Sequence, residues 1–359
     1  MKNIAFILPN LNGGGAERVA LNYLRQLHKA GYPVTLIVLE KTKDLLHLIP
    51  KDAIIVDLKK RSASRSVTVL IKTLRSIRPD IVFTTHSRIA GLLAPLKPIL
   101  PNFVHIARML NMPSLERQHS VYGLLRRILY ARGFKSADLV IAQTEAMKDD
   151  ASEVFKLNPE KVLILSNPLD TSFIEQCLLD VTNPFSSDEL AIVASGRITS
   201  QKGFDILVKA LSSVIEEYPS ARLYILGEDH GEKENINVLV GDLGLSEKVT
   251  FLGLQSNPYR YYKYCKLFVL SSRWEGFPNA LLENFYLNTP IVATRCVPVI
   301  EELISTGVNG EVADVDDSHG LGISIRKALK LDRKDIKNAD YQGGNLEKII
   351  SDVEKLICP

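Results

Sequence analysis

The strongest constraint on this chain is a pattern that runs through once and then starts again. Short apolar runs rich in Ile, Val and Leu occupy residues 4–8, 34–39, 54–58, 81–84, 103–107, 139–142 and 162–165, with helical patterns such as 16–29 and 67–77 between most of them. The alternation resumes at 191–194, 223–226, 249–252, 267–270 and 291–293. Runs that are apolar at every position and joined through helices suit parallel strands covered on both faces. At 359 residues the chain is also too long for one ordinary core. The expected fold class is therefore α/β, with two Rossmann-like, doubly wound parallel-sheet domains facing an interdomain cleft. The seam falls at Ser166-Asn167-Pro168-Leu169-Asp170, which predicts one domain over 1–168 and a second over 169–340. A short helical tail fills 341–359.

An apolar content of 46% with 24% charged residues belongs to a soluble globular protein. No run approaches the roughly 20 apolar residues that span a bilayer. The apolar run at 4–8 is too short for a signal sequence and leads into Pro9-Asn10 and glycines, so a first strand is expected and no cleavage. Cys177, Cys265, Cys296 and Cys358 are scattered without a CxxC, as expected of reduced cysteines in a cytoplasm. Charge is unevenly distributed. Residues 1–168 hold 25 Lys and Arg against 13 Asp and Glu, a net of +12, whereas 169–359 carry a net of −9. The first half is thus either a domain that happens to be basic or one that meets an anionic partner: nucleic acid, a membrane surface or a phosphorylated acceptor.

Three strand-to-helix junctions concentrate the polar chemistry. After the run at 267–270 the chain reads Ser271-Ser272-Arg273-Trp274-Glu275-Gly276-Phe277-Pro278-Asn279-Ala280-Leu281-Leu282-Glu283. Gly-Phe-Pro breaks regular structure, and Asn279 is the expected N-cap of the following helix. Glu275 then lies on the loop and Glu283 about one turn into the helix, two acceptor-only carboxylates suited to a ligand rich in hydroxyls. After the run at 191–194, Ser195-Gly196-Arg197-Ile198-Thr199-Ser200-Gln201-Lys202-Gly203 carries two cations that can converge on a diphosphate. After the first run, Asn10-Leu11-Asn12-Gly13-Gly14-Gly15-Ala16-Glu17-Arg18 is a glycine loop ahead of a helix, suited to a tight turn or to close approach of an anion. It lacks the G-x-G-x-x-G spacing of a dinucleotide site. Glu17 reads as a first-turn residue favoured by the helix dipole.

These junctions, with their order and spacing, resemble those of the retaining glycosyltransferases of family 4, which have the GT-B fold. The likeness lies in Gly-Gly-Ala-Glu-Arg, in Gly196-Arg197 with Lys202-Gly203, and in Glu275-Gly276-Phe277-Pro278-Asn279-Ala280-Leu281-Leu282-Glu283. The resemblance implies a hexosyltransferase that moves a sugar from a nucleoside diphosphate, UDP favoured, to a hydroxyl of a lipid-linked saccharide in bacterial surface polysaccharide synthesis. It implies that Glu283 holds the ribose and that Glu275 contacts the donor sugar, with the backbone of Gly276, Phe277 and Asn279 beside Pro278 placing its hydroxyls. Arg197 and Lys202 would stabilise the departing diphosphate without a metal or other cofactor. Gly14, Gly15 and Leu254 would also border the donor. The tail would return onto the first domain. On the acceptor side stand His86 and Arg108, each following an apolar run; many relatives carry His where Arg108 stands.

Elsewhere, Asp314-Val315-Asp316-Asp317 follows an expected turn at 310–313 and reads as an N-cap rather than a metal ligand set. Lys59-Lys60-Arg61 with Arg65 forms one basic cluster. Arg117, Arg126, Arg127, Arg132 and Lys135 flank an amphipathic run of Val121, Leu124, Leu125, Ile128, Leu129 and Tyr130. Such a helix is a membrane-surface element, a phosphate-facing groove or a solvated face. The resemblance favours the membrane, with a cytoplasmic protein peripheral on the inner face and no nucleic acid. Two rival readings are a nucleotide-sugar 2-epimerase, which would not call for the 275–283 stretch, and a non-catalytic sugar-binding or activating subunit.

Overall fold

The computed structural model describes residues 1–12, 14–114, 123–338 and 343–357. Gly13, Arg117, Val121 and Cys358 lie outside the described residues, as do the side chains of Leu124, Leu125 and Arg126. The chain divides into two compact units, Met1–Pro168 with the tail from Gly343, and Leu169–Gln342.

In the first unit, β1 (Ile4–Leu8), β2 (Val34–Val38), β3 (Ile54–Asp57), β4 (Ile81–Thr84), β5 (Val104–Arg108), β6 (Leu139–Ala142) and β7 (Val162–Ile164) form one parallel sheet. Its order is β3-β2-β1-β4-β5-β6-β7. In the second unit, β8 (Leu190–Ser195), β9 (Ala221–Leu226), β10 (Val249–Gly253), β11 (Leu267–Leu270), β12 (Ile291–Thr294) and β13 (Gly310–Ala313) are again all parallel, in the order β10-β9-β8-β11-β12-β13. The fold is thus two doubly wound α/β domains.

Burial explains why these runs become strands. Along β8, Ile192 and Ala194 enter the core on one face while Ala191 and Val193 enter the core on the other. The period of two therefore meets an apolar layer on both sides. The tail helix Leu346–Ile357 buries Leu346, Ile350 and Val353, a 3–4 residue spacing that gives one apolar stripe.

Three expectations change. The expected turn at 310–313 is the edge strand β13, paired with β12 from Ile291↔Gly310 to Thr294↔Ala313. Asn279 is the first residue of the helix Asn279–Tyr286 and not its cap, because the Pro278 carbonyl already accepts from Leu281 N and Leu282 N. In the helix Gly123–Ser136, Ile128 and Leu129 are exposed while Phe134 is buried against Phe155. The described part of that helix therefore carries its apolar side chains on more than one side. Among the described residues no helix is long and apolar enough to cross a membrane.

Candidate active site

In each sheet the winding reverses once, between β8 and β11 in the second unit and between β1 and β4 in the first. Ligands of open α/β sheets bind at such a reversal, beyond the carboxyl ends of the strands.

The loops leaving β8 and β11 are locked together. After β8 the chain makes a tight turn, Ser200–Lys202, and enters the helix Phe204–Glu217 through Gly203. Gly203 has φ +59°, and a Cβ there would sit 2.1 Å from the Ser271 carbonyl oxygen. Ser271 Oγ donates to the Lys202 carbonyl at 2.9 Å, and Arg273 N donates to the Gln201 carbonyl at 2.7 Å. Arg273 grips Asp205 with both terminal nitrogens, at 3.0 and 2.8 Å, and its Nε lies 2.7 Å from Asp316. A forked guanidinium on a carboxylate fixes direction as well as distance.

This clamp delivers Lys202 to Glu275. The lysine stem passes over Gly196, where a Cβ would come within 2.7 Å of Lys202 Cε. Lys202 Nζ then donates to Glu275 Oε1 at 2.6 Å, and Ser272 Oγ donates to the same oxygen at 2.6 Å. Glu275 is only 6% exposed, so its charge is held by partners rather than by water. Burial, followed by the Glu275 charge, pushes the neighbouring Cys296 thiol up to about 12. That thiol stays protonated near neutral pH and is a poor nucleophile.

Glu283 lies further along, on the helix Asn279–Tyr286, partly exposed, with Tyr259 OH donating to its Oε1 at 3.3 Å. Gly276, Phe277 and Pro278 are buried in the intervening loop. Arg197 does not join Lys202: its side chain is exposed and makes no hydrogen bond or ion pair among the described residues. Leu254 is 46% exposed just beyond β10.

The first unit separates its two candidates. Arg108, the last residue of β5, is fully buried, with Nη2 donating to Asn167 Oδ1 and with Nε and Nη1 unpartnered among the described residues. Burial pushes its guanidinium down from the ordinary value, an effect that Tyr23 opposes. His86 lies two residues past β4, its Nε2 3.3 Å from Glu17 Oε1. Gly14 caps the helix Gly15–Lys29.

The Asp314–Asp317 stretch is divided among separate tasks. Asp314 meets Arg295 at 2.8 Å, Asp316 meets Arg273, and Asp317 caps the helix Ser318–Ala328 by accepting from Gly320 N at 2.9 Å. Among the described residues no cluster of three or more His, Cys, Asp or Glu is placed to hold a metal ion. The sequence reading gave Ser272 and Tyr259 no role at the site, and it placed Glu17 in the first turn of its helix and His86 on the acceptor side without pairing the two. The only local signal was the tyrosine-rich run 259–264.

Two doubly wound units and a carboxylate–ammonium site at a sheet reversal define a GT-B type of protein. Residues 13–173 match Glycosyltransferase Family 4, and residues 179–343 match Glycosyl transferases group 1. The chain belongs to these group 1, family 4 GT-B glycosyltransferases. It is 30% identical over 251 residues to the uncharacterized glycosyltransferase MJ1059 of Methanocaldococcus jannaschii, which covers 67% of this chain and 61% of that relative. It thus spans about three fifths of that protein's length. It is 25% identical over 351 residues, 94% of this chain and 93% of the relative, to a Campylobacter jejuni enzyme. That relative is the N-acetylgalactosamine-N,N'-diacetylbacillosaminyl-diphospho-undecaprenol 4-alpha-N-acetylgalactosaminyltransferase. Among solved structures, Anabaena HepE in complex with UDP and glucose superposes with a TM-score of 0.79 at 19% identity, covering 99% of both chains.

Proposed function

We propose that this glycosyltransferase moves a hexose from a nucleoside diphosphate, UDP favoured, to a hydroxyl of a lipid-linked saccharide, with retention at the anomeric carbon. The observation that carries the reading is the Lys202–Glu275–Ser272 cluster, with its carboxylate and hydroxyl buried and its lysine half-buried, built where the second sheet reverses. On donor binding, Lys202 turns its charge to the leaving diphosphate and Arg197 adds a guanidinium from the exposed loop. Such groups stabilise charge that develops only as the bond breaks. Glu275 then receives hydroxyls of the donor sugar, beside the backbone N–H groups of Gly276, Phe277 and Asn279. Glu283, steadied by Tyr259, takes the ribose.

Glu275 is held by an ammonium and a hydroxyl, an arrangement for binding rather than for covalent attack. A front-side substitution fits it: the bond to the diphosphate breaks, the acceptor oxygen bonds to the same face, and a donor phosphate oxygen takes the acceptor proton. Arg197 and Lys202 supply the cations the diphosphate needs, so we propose that no metal is required. The Campylobacter relative acts on a diphospho-undecaprenol-linked saccharide and HepE holds UDP with glucose, which supports the donor and acceptor classes. The basic first half of the chain supports action as a peripheral protein at an anionic membrane on its cytoplasmic side.

The test incubates the protein with UDP- and GDP-sugars in EDTA, with and without detergent-solubilised lipid-diphosphate saccharides, and measures nucleoside diphosphate release. Acceptor-stimulated release from one donor, with the donor's anomeric configuration retained in the product, is the expected result. Donor binding without release under any pairing would instead mark a non-catalytic subunit.

A further inference from the structure

The loops leaving β1 and β4 meet through Glu17 and His86. Glu17 is the third residue of its helix, where an acidic side chain ordinarily remains in water beside the helix dipole. Here it is 9% exposed and reaches across the sheet reversal to His86. Its second carboxylate oxygen lies over Gly14, where a Cβ would come within 2.2 Å of Oε2. The carboxylate thus packs directly against the Gly14 backbone. The other ring nitrogen of His86, Nδ1, lies 3.0 Å from Thr85 Oγ1. Because a carboxylate only accepts, Nε2 carries a proton; in the neutral ring Nδ1 then accepts from the threonine hydroxyl.

Burying a carboxylate is costly unless its partners compensate. The contact to His86 is 3.3 Å, longer than the roughly 2.7–2.9 Å of a charge-assisted hydrogen bond. The Lys202–Glu275 pair of the other unit, at 2.6 Å, is closed by comparison. One chemical group completes the looser pair. A hydroxyl accepts from Nε2–H and donates to Oε1, so a donor-only and an acceptor-only atom are both satisfied at once. The other candidate of this unit, Arg108, is buried and bound to Asn167.

We propose that Glu17 and His86 together form a hydroxyl-binding site that seats the acceptor saccharide, an inference that rests on the transferase reading above. The ligand chemistry is that of a sugar hydroxyl, and the acceptor is its source. Glu17 binds the hydroxyl directly and also sets the His86 tautomer.

The test follows the imidazole ¹H–¹⁵N signals of the full-length chain, with those of His86 identified by their loss in His86→Gln. The chain is titrated with UDP-glucose, with UDP-N-acetylgalactosamine and with a set of short-chain lipid-diphosphate N-acetylhexosamines. The His86 Nε2 signal is expected to shift with the lipid-linked saccharide and not with the nucleotide sugars alone. Glu17→Gln is expected to weaken saccharide binding about tenfold, the loss of one charged hydrogen bond, while leaving UDP affinity unchanged. A His86 shift driven by the nucleotide sugars instead would assign the pair to the donor and overturn the proposal. No shift with any saccharide would overturn it as well. A saccharide-driven shift in a chain that releases no UDP would leave this site standing and sink the transferase reading instead.

Discussion

Lys202 Nζ and Glu275 Oε1 stand 2.6 Å apart, on loops 73 residues apart in sequence, and Ser272 Oγ reaches the same carboxylate oxygen. Each member of the pair is oriented by the other. Preorganisation of this kind lets a charged group act in a transition state without a reorganisation cost at the moment of reaction.

Lys202→Ala removes both the cation offered to the diphosphate and the main partner of a buried carboxylate. Turnover should fall by about 3 kcal/mol of transition-state stabilisation, roughly a hundredfold in kcat, by comparison with lost oxyanion donors. Steady-state UDP release by the variant checks this, and near-normal turnover would remove the lysine from the mechanism. Arg197→Ala should cost less, since its side chain is exposed and pairs with nothing among the described residues.

Gly203→Ala should destabilise the second unit by about 2 kcal/mol, because φ is +59° and the new Cβ would meet the Ser271 carbonyl oxygen at 2.1 Å. Gly244 offers the control: its φ is +68°, yet nothing lies within 4 Å of a Cβ built there. Gly244→Ala should therefore show the backbone strain without the clash. Denaturant midpoints of the two variants measure the difference, and equal losses would mean that the loop clamp yields freely.

Much of this architecture was legible because buried strands advertise themselves. Strands β1, β4, β6 and β11 begin and end where their apolar runs do. β13 was missed because Gly310 opens it and Glu311 follows, so that no continuous apolar run marks it. Asn279 has the composition of a cap, but Pro278 already supplies the first helical carbonyl, which a residue preference cannot reveal. Spacing put Arg197 and Lys202 on one loop but could not say which would turn inward; the close approach over Gly196 decides that for the lysine. Tyr259 with Glu283 and Arg273 with Asp205 are contacts across 24 and 68 residues, and no periodicity encodes them.

Tyr259→Phe isolates one of those contacts. The tyrosine O–H donates to Glu283 Oε1, so its loss should loosen the carboxylate proposed to hold the ribose while the buried ring remains. UDP affinity should drop about threefold in Tyr259→Phe and about tenfold in Glu283→Gln, as expected for steadying a charged hydrogen bond and for weakening it directly. Calorimetric titration with UDP distinguishes the two. An unchanged affinity in Glu283→Gln would move the ribose elsewhere.

His105 makes the first unit acid-sensitive. It lies within β5, nearly fully buried, with Nε2 3.0 Å from Thr84 Oγ1 and with Nδ1 unpartnered among the described residues. Burial, reinforced by Lys97 and opposed by Asp138, lowers its pKa from 6.5 to about 4. In the unfolded chain the ring takes up a proton near pH 6.5, whereas the folded chain refuses it until about pH 4. The stabilisation from keeping His105 neutral is therefore complete above pH 6.5 and is lost as the pH falls toward 4, for a total of about 3 kcal/mol. Unfolding midpoints of the intact chain measured across that range should fall with acid. His105→Gln, which cannot take up the proton, should start from a lower stability at neutral pH and show a shallower decline. Parallel curves for the two proteins would mean that other groups govern the acid response.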